Sequence, residues 1–170
     1  MSLHGSPTFM PESTVCHPIA IDSCDSAVLR DGYQYWRSRC GKRRFPSREN
    51  IRPRDIATSL RYVSLLKVED GDFIYRIVGD VIVMSYGLPL QNRRLSDLAY
   101  DEPGFSTYVL PVLRSVVEDG APKALRSRIG RDILHVNFTD CENLLLPLGP
   151  ADDTVDHILA FSSYLSHPFG

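Results

Sequence analysis

Long apolar runs, paired cysteines and a leader segment are all missing from this sequence. No apolar run approaches the roughly 20 residues that a membrane-spanning helix needs, so we expect no membrane association. Residues 1–20 contain no charged stretch followed by an apolar one, and we therefore expect no signal peptide. The cysteines Cys16, Cys24, Cys40 and Cys141 form no CxxC pair. Together these absences predict a cytoplasmic protein with reduced thiols.

The short motifs of the common enzyme classes are absent too. The sequence contains no GxSxG, HExxH, P-loop or GxGxxG pattern, so it indicates no catalytic residue and predicts that the protein is not an enzyme. Cys16, His17 and Cys24 have irregular spacing, and we expect no metal site there. No cofactor can be named from these residues.

Charge is nearly balanced overall but unevenly placed along the chain. The formal net charge is −2, yet nine of the 19 Lys and Arg residues lie between Arg37 and Arg61, and none follows Arg131. Aromatic residues are sparse in this basic segment, so we expect no nucleic-acid binding. A solvated surface is the simpler interpretation of the segment, and a partner surface is the alternative.

Length and composition indicate one globular domain. The 170 residues are 43% hydrophobic and 24% charged, which is close to the average for globular proteins. Gly5, Pro7, Pro11 and Pro18 interrupt the start of the chain, where no periodicity is visible. We therefore predict a flexible arm over residues 1–22 and a folded domain over residues 23–166.

The first half of the chain combines helices with a hairpin. In the predicted helix 25–39 the apolar residues Leu29, Tyr33 and Trp36 recur at steps of four and three and form one stripe. A short helix is predicted at 53–60. Strands follow at 62–69 and 73–78, and the Asp-Gly pair between them is typical of a tight turn.

The second half begins with helices and ends in strands. The pattern predicts a short helix at 81–86, a turn near 95–99 and a long amphipathic helix at 103–119. The predicted strands are 124–129, 134–138, 144–148 and 155–164. The leading hairpin can pair with this group only by returning beside the last strand. We therefore predict an α+β fold in which helices cover one face of a single antiparallel sheet of about five strands.

Several pieces of the sequence occur in an order that resembles a bacterial family of short, stand-alone PAS-like proteins. The pieces are Tyr35-Trp36, Pro46-Ser47-Arg48, Ile51, Pro53, Asp55, Ile56, residues 75–79, Gly87, Arg94-Leu95, residues 142–148 and residues 155–159. The resemblance implies a PAS-like fold and a sensory or protein-interaction role with no catalytic residues. An NTF2-like binding or enzymatic cone is the alternative, but Asp156 and His157 are adjacent and should point to opposite faces of a strand.

Five residues are candidates for ligand binding: Arg76, Met84, Tyr86, Tyr108 and His157. Arg76 alternates with Ile74 and Val78, so its charge needs a carboxylate such as Asp55 or Asp80, or an anionic ligand, if that face is buried. If the opposite face is buried, Tyr75 lines the core and Arg76 is a surface charge. Haem-binding PAS domains typically use a histidine on a helix, and the predicted long helix has none.

The same resemblance also implies which kinds of partner the protein has. A sensor without an output domain of its own must signal through a separate effector protein or through a second copy of itself. The stripe of Leu29, Tyr33 and Trp36 is a candidate homodimer seam, and the alternative is that it packs on the chain's own sheet. A small molecule is a further candidate partner.

Overall fold

A computed structural model describes residues 15–101, 103–128 and 140–165 of the protein; for residues 15, 103–108 and 165 it describes the backbone alone. The helices and strands follow one another as β1 (Val15–Ile19), α1 (Ala27–Cys40), β2 (Val63–Glu69), β3 (Asp72–Val78), α2 (Asp80–Tyr86), α3 (Leu95–Asp101), α4 (Pro103–Asp119), β4 (Lys123–Arg128), β5 (Asp140–Leu148) and β6 (His157–Leu165). Short 3-10 segments precede β2 at Ile21–Ser23, Arg48–Asn50 and Pro53–Tyr62. The predicted strand at 134–138 lies outside the described residues.

The six strands form one antiparallel sheet in the order β1-β4-β5-β6-β2-β3. The leading hairpin of β2 and β3 does return beside the last strand, since β2 pairs with β6. At its turn Asp70 and Gly71 have φ values of 53° and 74°. Positive φ at both central residues is the requirement of a two-residue hairpin turn of type I′, which explains why Asp-Gly stands there.

Strand β5, inside the sheet, is apolar and buried on both of its faces. Leu144, Leu146 and Leu148 belong to one hydrophobic cluster, while Leu145 belongs to another. Successive side chains of a strand point to opposite faces, so the two clusters lie on opposite sides of the sheet. The side with Leu144 is called the α1 face below, and the side with Leu145 is called the cavity face.

The α1 face is covered by α1 and the loop that follows it. Leu29 and Trp36 are 0% and 1% exposed, and the indole Nε1 of Trp36 donates a hydrogen bond of 3.0 Å to the carbonyl of Pro147. The stripe predicted from the sequence therefore packs on the chain's own sheet. Leu29 and Trp36 are buried there and are unavailable as a homodimer seam.

Gly32 lets α1 approach the sheet closely. An ideal Cβ built on Gly32 would lie 2.8 Å from ring atoms of Phe161 on β6, which is closer than real Cβ contacts come. A glycine in the middle of a helix costs roughly 0.5–1 kcal/mol relative to alanine. Here that cost is offset by the contact between helix and sheet.

The cavity face is covered by α2, α3 and α4. Buried residues of these helices, including Ile82, Leu98, Leu113 and Val116, belong to the same cluster as Leu145. The predicted α+β class with a single antiparallel sheet is confirmed, but helices cover both faces instead of one. The reason is that each apolar face of β5 has to be removed from water.

Strand β1 corrects the prediction of an arm. Val15–Ile19 pair with β4 at the edge of the sheet, although the sequence there shows no strand periodicity. Pro18 is exposed, and proline is tolerated on an edge strand because it has no N–H to donate. The division of the chain at residue 22 stays a prediction.

Several arginines of the basic segment form ion pairs and hydrogen bonds with other residues of the chain. Arg39 pairs with Asp55, and Arg61 pairs with Asp80. Arg44 donates a 2.7 Å hydrogen bond to the carbonyl of Asp119, and thereby ties the loop after α1 to the end of α4. In the part of the chain that the structure describes, no helix is long and apolar enough to cross a membrane.

Candidate functional site

A small cavity lies between the sheet and the helices on the cavity face. Its volume is about 60 Å³. The apolar part of its wall is formed by Leu66, Ile82, Val109, Leu113, Leu125, Leu145 and Ala160. The polar part is formed by Ser64, Tyr75, Tyr86, Asn143, Ser162 and Tyr164.

Strand alternation explains why these polar groups meet. Ser64 shares a face of β2 with Leu66, and Asn143 shares a face of β5 with Leu145. Ser162 lies two residues after Ala160 on β6, the strand that pairs with both β2 and β5. A serine or asparagine at an alternate position of three neighbouring strands therefore produces one polar strip beneath the helices.

Hydrogen bonds join most of this strip. Ser162 Oγ donates to Asn143 Oδ1 at 2.6 Å, and Asn143 Nδ2 lies 3.5 Å from the sulfur of Cys141. The rings of Tyr86 and Tyr164 meet edge to face with centroids 6.0 Å apart, and their hydroxyl groups hydrogen-bond to each other. Tyr86 connects α2 to β6 in this way.

The site is uncharged at neutral pH. Burial raises the pKa of Tyr75, and burial is also the largest cause of the raised pKa values of Tyr86 and Tyr164. Burial likewise raises the pKa of Cys141 to about 11, although hydrogen bonds with Asn143 and Ser127 act in the opposite direction. None of the described residues that line the cavity carries a charge.

Two hydroxyl groups on the wall differ from the others. The side chains of Ser64 and Tyr75 have no hydrogen-bond partner among the described residues, although these residues are 4% and 7% exposed. Buried polar side chains are paired in the large majority of cases. These two hydroxyl groups are therefore the most distinctive feature of the site.

Of the five predicted ligand-binding residues, the structure brings Tyr86 to the cavity. Met84 is 58% exposed and is not part of the wall, although it lies on the same helix. Tyr108 lies on α4, but its side chain is outside the described residues.

Arg76 is exposed, which is the second of the two alternatives considered for this residue, and it therefore needs no carboxylate or anionic ligand beside it. Leu65 pairs with Ile77 while Leu66 pairs with Tyr75, so Arg76 is the unpaired residue of a β-bulge. The expected partners Asp55 and Asp80 bind other arginines.

The bulge explains why neither of the two expected registers holds throughout β3. Before it Phe73 and Tyr75 belong to the core of the cavity face, and after it Val78 packs there instead of Ile77. A single extra residue reverses the alternation of a strand.

His157 lies on the α1 face, which it shares with Leu159, and it is therefore remote from the cavity wall. Its Nδ1 atom is 3.0 Å from Asp156 Oδ1. The two side chains meet, against the expectation from strand alternation, because β6 begins at His157 and Asp156 precedes it. This pair does not converge in the cavity.

A second cleft, of about 410 Å³, lies on the α1 face at the start of α1. Glu142 is 8% exposed and accepts hydrogen bonds from the backbone N–H groups of Asp25 and Ser26 and from Arg126 Nη2 at 2.8 Å. Burial by itself would raise the pKa of Glu142, but these hydrogen bonds hold it below its ordinary value. The cluster attaches the start of α1 to the sheet, because Glu142 on β5 binds the backbone N–H groups of the N-cap residue Ser26 and of Asp25 before it.

Sequence reasoning missed five of the six polar residues of the wall as ligand-binding candidates. The available signal was weak: Ser64, Asn143 and Ser162 each interrupt an apolar strand at a position that faces the core. Tyr75 was expected inside only in one of two registers. Among the described residues no three His, Cys, Asp or Glu side chains converge as a metal site would require, and the cofactor stays unknown.

Comparison with known proteins agrees with this architecture. A sequence profile described as the PAS domain matches residues 24–162. No curated protein is significantly similar to the chain in sequence. The match covers most of the sheet and all of the helices around the cavity, and it favours the PAS-like fold over the NTF2-like alternative. The chain belongs to the PAS domain family.

Proposed function

We propose that the protein is a sensory module that binds a small molecule in the cavity and reports its presence to a separate effector protein. PAS domains are generally sensory or interaction modules without catalysis, which supports the coarse assignment. The observation that carries the finer proposal is the cavity itself. It places hydroxyl and amide groups in an otherwise apolar space beneath α2 and α4.

The path from cavity to surface runs through α2. Tyr86 touches the cavity and Tyr164, whereas Met84, two residues earlier on the same seven-residue helix, is 58% exposed. A ligand that shifts Tyr86 must shift this short helix and therefore its outer surface. A methionine on that surface adapts readily to a partner's shape.

The protein has no catalytic activity of its own in this proposal. The described wall residues include no carboxylate, histidine or lysine that would act as a base, and burial keeps the neighbouring Cys141 thiol protonated at neutral pH. An NTF2-like enzyme would need a titratable pair inside its cavity. We further propose that the module works in the cytoplasm of a bacterium, and that any homodimer uses surface other than Leu29 and Trp36.

A cavity-filling variant tests the function. Native mass spectrometry of protein from its own host, with cell extract or candidate small molecules kept in excess, should show a small molecule retained on the wild type. Ala160→Leu fills space at the wall and should abolish retention, while Ala57→Leu makes the same change at an exposed position and should not. Equal retention by both variants would place the ligand elsewhere, and a wild type that carries no compound and binds none in a screen would contradict the proposal.

A further inference from the structure

The unpaired hydroxyl groups of Ser64 and Tyr75 indicate what the cavity binds. Both residues are more than nine-tenths buried, both border the cavity, and neither side chain has a partner among the described residues. A buried donor without an acceptor loses its hydration and receives nothing in exchange. A molecule in the cavity that accepts hydrogen bonds removes this cost.

The two hydroxyl groups belong to neighbouring strands. Ser64 lies two residues before Leu66 on the same face of β2, and Leu66 pairs with Tyr75 on β3. Ser64 and Tyr75 are therefore diagonal neighbours across the pair of β2 and β3, and diagonal neighbours are close enough for a long side chain to interact with the other residue. One oxygen atom with two lone pairs can serve both donors, and a carbonyl oxygen is such an acceptor.

Charged ligands do not suit this wall. No described residue of the wall carries a charge, and burial raises the pKa values of all three tyrosines there. An ion transferred into such a site loses its hydration without gaining a counter-ion. The ligand is uncharged for the same reason that the tyrosines stay protonated.

The size of the cavity limits the ligand further. Its volume is about 60 Å³. A cavity of roughly 10–15 Å³ holds one water, and an apolar cavity of about 150 Å³ holds benzene, which has six non-hydrogen atoms. The space therefore suits a molecule of about two to four non-hydrogen atoms and is too small for ring systems such as haem or a flavin.

We infer that the cavity binds a small uncharged carbonyl compound, such as a short amide or ketone, whose oxygen accepts hydrogen bonds from Tyr75 and Ser64. The apolar wall, which includes Leu66 and Leu145, receives the methyl end of such a molecule. This inference rests on the proposed function and specifies the chemistry of the same site.

Acetamide is the probe that tests the inference, with acetate as an anion of the same shape. Titrations followed by amide NMR shifts should show saturable changes at cavity residues with acetamide and none with acetate. A ligand this small is expected to bind with a dissociation constant of about tens of micromolar or weaker. Tyr75→Phe and Ser64→Ala should each weaken binding by about tenfold, which corresponds to one lost hydrogen bond. Tyr33→Phe removes a hydroxyl group on the α1 face and should leave binding unchanged.

The stability of the ligand-free variants gives a second measurement. Tyr75→Phe removes a hydroxyl group that lacks a partner, so without acetamide its melting temperature should equal or exceed that of the wild type. Acetamide should raise the melting temperature of the wild type more than that of the variant. A fall in the ligand-free melting temperature would show that the hydroxyl group already has a partner within the protein, and would overturn the inference.

The remaining outcomes separate the inference from the proposed function. If acetamide binds the wild type, Tyr75→Phe and Ser64→Ala equally well, these hydroxyl groups do not hold the oxygen and the inference is wrong. If acetamide does not bind and the compound that native mass spectrometry finds is charged or has no carbonyl group, the ligand class is wrong while the sensory function stands. If long-lived water alone occupies the cavity and no compound displaces it, both proposals fail.

Discussion

The α1 face and the cavity face share the same strands but are filled differently. On the α1 face Leu144, Leu146 and Phe161 are fully buried against α1, and Trp36 closes the packing with a hydrogen bond to the sheet. On the cavity face a polar strip and a cavity of about 60 Å³ interrupt the apolar packing. A close-packed face resists changes in volume, whereas a face with a polar cavity accepts a guest. One sheet thus carries a close-packed face and a face with a polar cavity.

Of the substitutions considered, truncation of Trp36 should destabilise the packing of the α1 face most. Trp36→Ala removes a fully buried aromatic ring and its hydrogen bond to Pro147, and should lower the free energy of unfolding by roughly 3–5 kcal/mol. Urea denaturation measures the change. Trp36→Phe is the matched control and should lose less, because it keeps most of the apolar volume. An unchanged unfolding midpoint for Trp36→Ala would contradict the packing of α1.

Substitutions of two neighbouring leucines allow the packing of the two faces to be compared directly. Leu146→Ala on the α1 face should cost about 3–5 kcal/mol, because the close-packed surroundings cannot collapse into the space. Leu145→Ala on the cavity face should cost about 2–3 kcal/mol, because water can enter from the polar cavity beside it. The same urea experiment measures both variants. Equal losses would mean that the two faces do not differ in packing.

Substitution of Gly32 tests how closely α1 packs on the sheet. In an ordinary helix Gly→Ala is stabilising, by up to about 1 kcal/mol. Here the added methyl group meets the ring of Phe161, and we expect a net loss of about 1–3 kcal/mol from overpacking. Thermal melts of Gly32→Ala decide the sign, with Gln34→Ala at an exposed position of α1 as the control. A stabilised Gly32→Ala would show that α1 can move away from the sheet at little cost.

The attachment of α1 through Glu142 should depend on pH. Its pKa is lowered in the folded protein, so its contribution is present above the unfolded pKa of about 4.3 and is lost as pH falls through the lower folded value. Glu142→Gln should cost about 1–2 kcal/mol at pH 7 and should flatten the loss of stability below about pH 4.3. Urea denaturation at a series of pH values measures both effects. Glu118→Gln, at an exposed position of α4, should leave the profile unchanged, and an identical profile for Glu142→Gln would contradict the role of this carboxylate.

Substitution of Arg76 has the smallest expected effect on stability. Arg76→Ala should shift the melting temperature by less than about 2 °C, since the side chain is exposed on the bulge of β3 and has no ion pair among the described residues. It should also leave acetamide binding unchanged. Arg126→Ala is the contrasting variant and should destabilise more, because Arg126 holds the buried Glu142. A marked loss of binding in Arg76→Ala would return this residue to the site.

Elements with a strong local signal were predicted well. The stripe on α1, the Asp-Gly hairpin and the long amphipathic helix α4 all have the predicted positions, because periodicity and turn chemistry act within a few residues. The edge strand β1 has no such signal, since its pairing with β4 depends on residues more than 100 positions away. The candidate site was predicted less well. Tyr86 was expected at the cavity and lies there, but the side on which Arg76 lies was left open, because the bulge in β3 leaves no mark in the sequence.

The sequence by itself determined the fold class, the order of most elements after β1 and the family, since these depend on local patterns and on an ordered set of short motifs. It did not determine which polar residues share the cavity. Ser64, Asn143 and Ser162 are distant in sequence, and they meet only because β6 pairs with both β2 and β5. Tyr75 joins them because the bulge after it leaves its side chain on the cavity face. Strand register and strand neighbours are properties of the assembled sheet, and so only the tertiary structure decided the chemistry of the site.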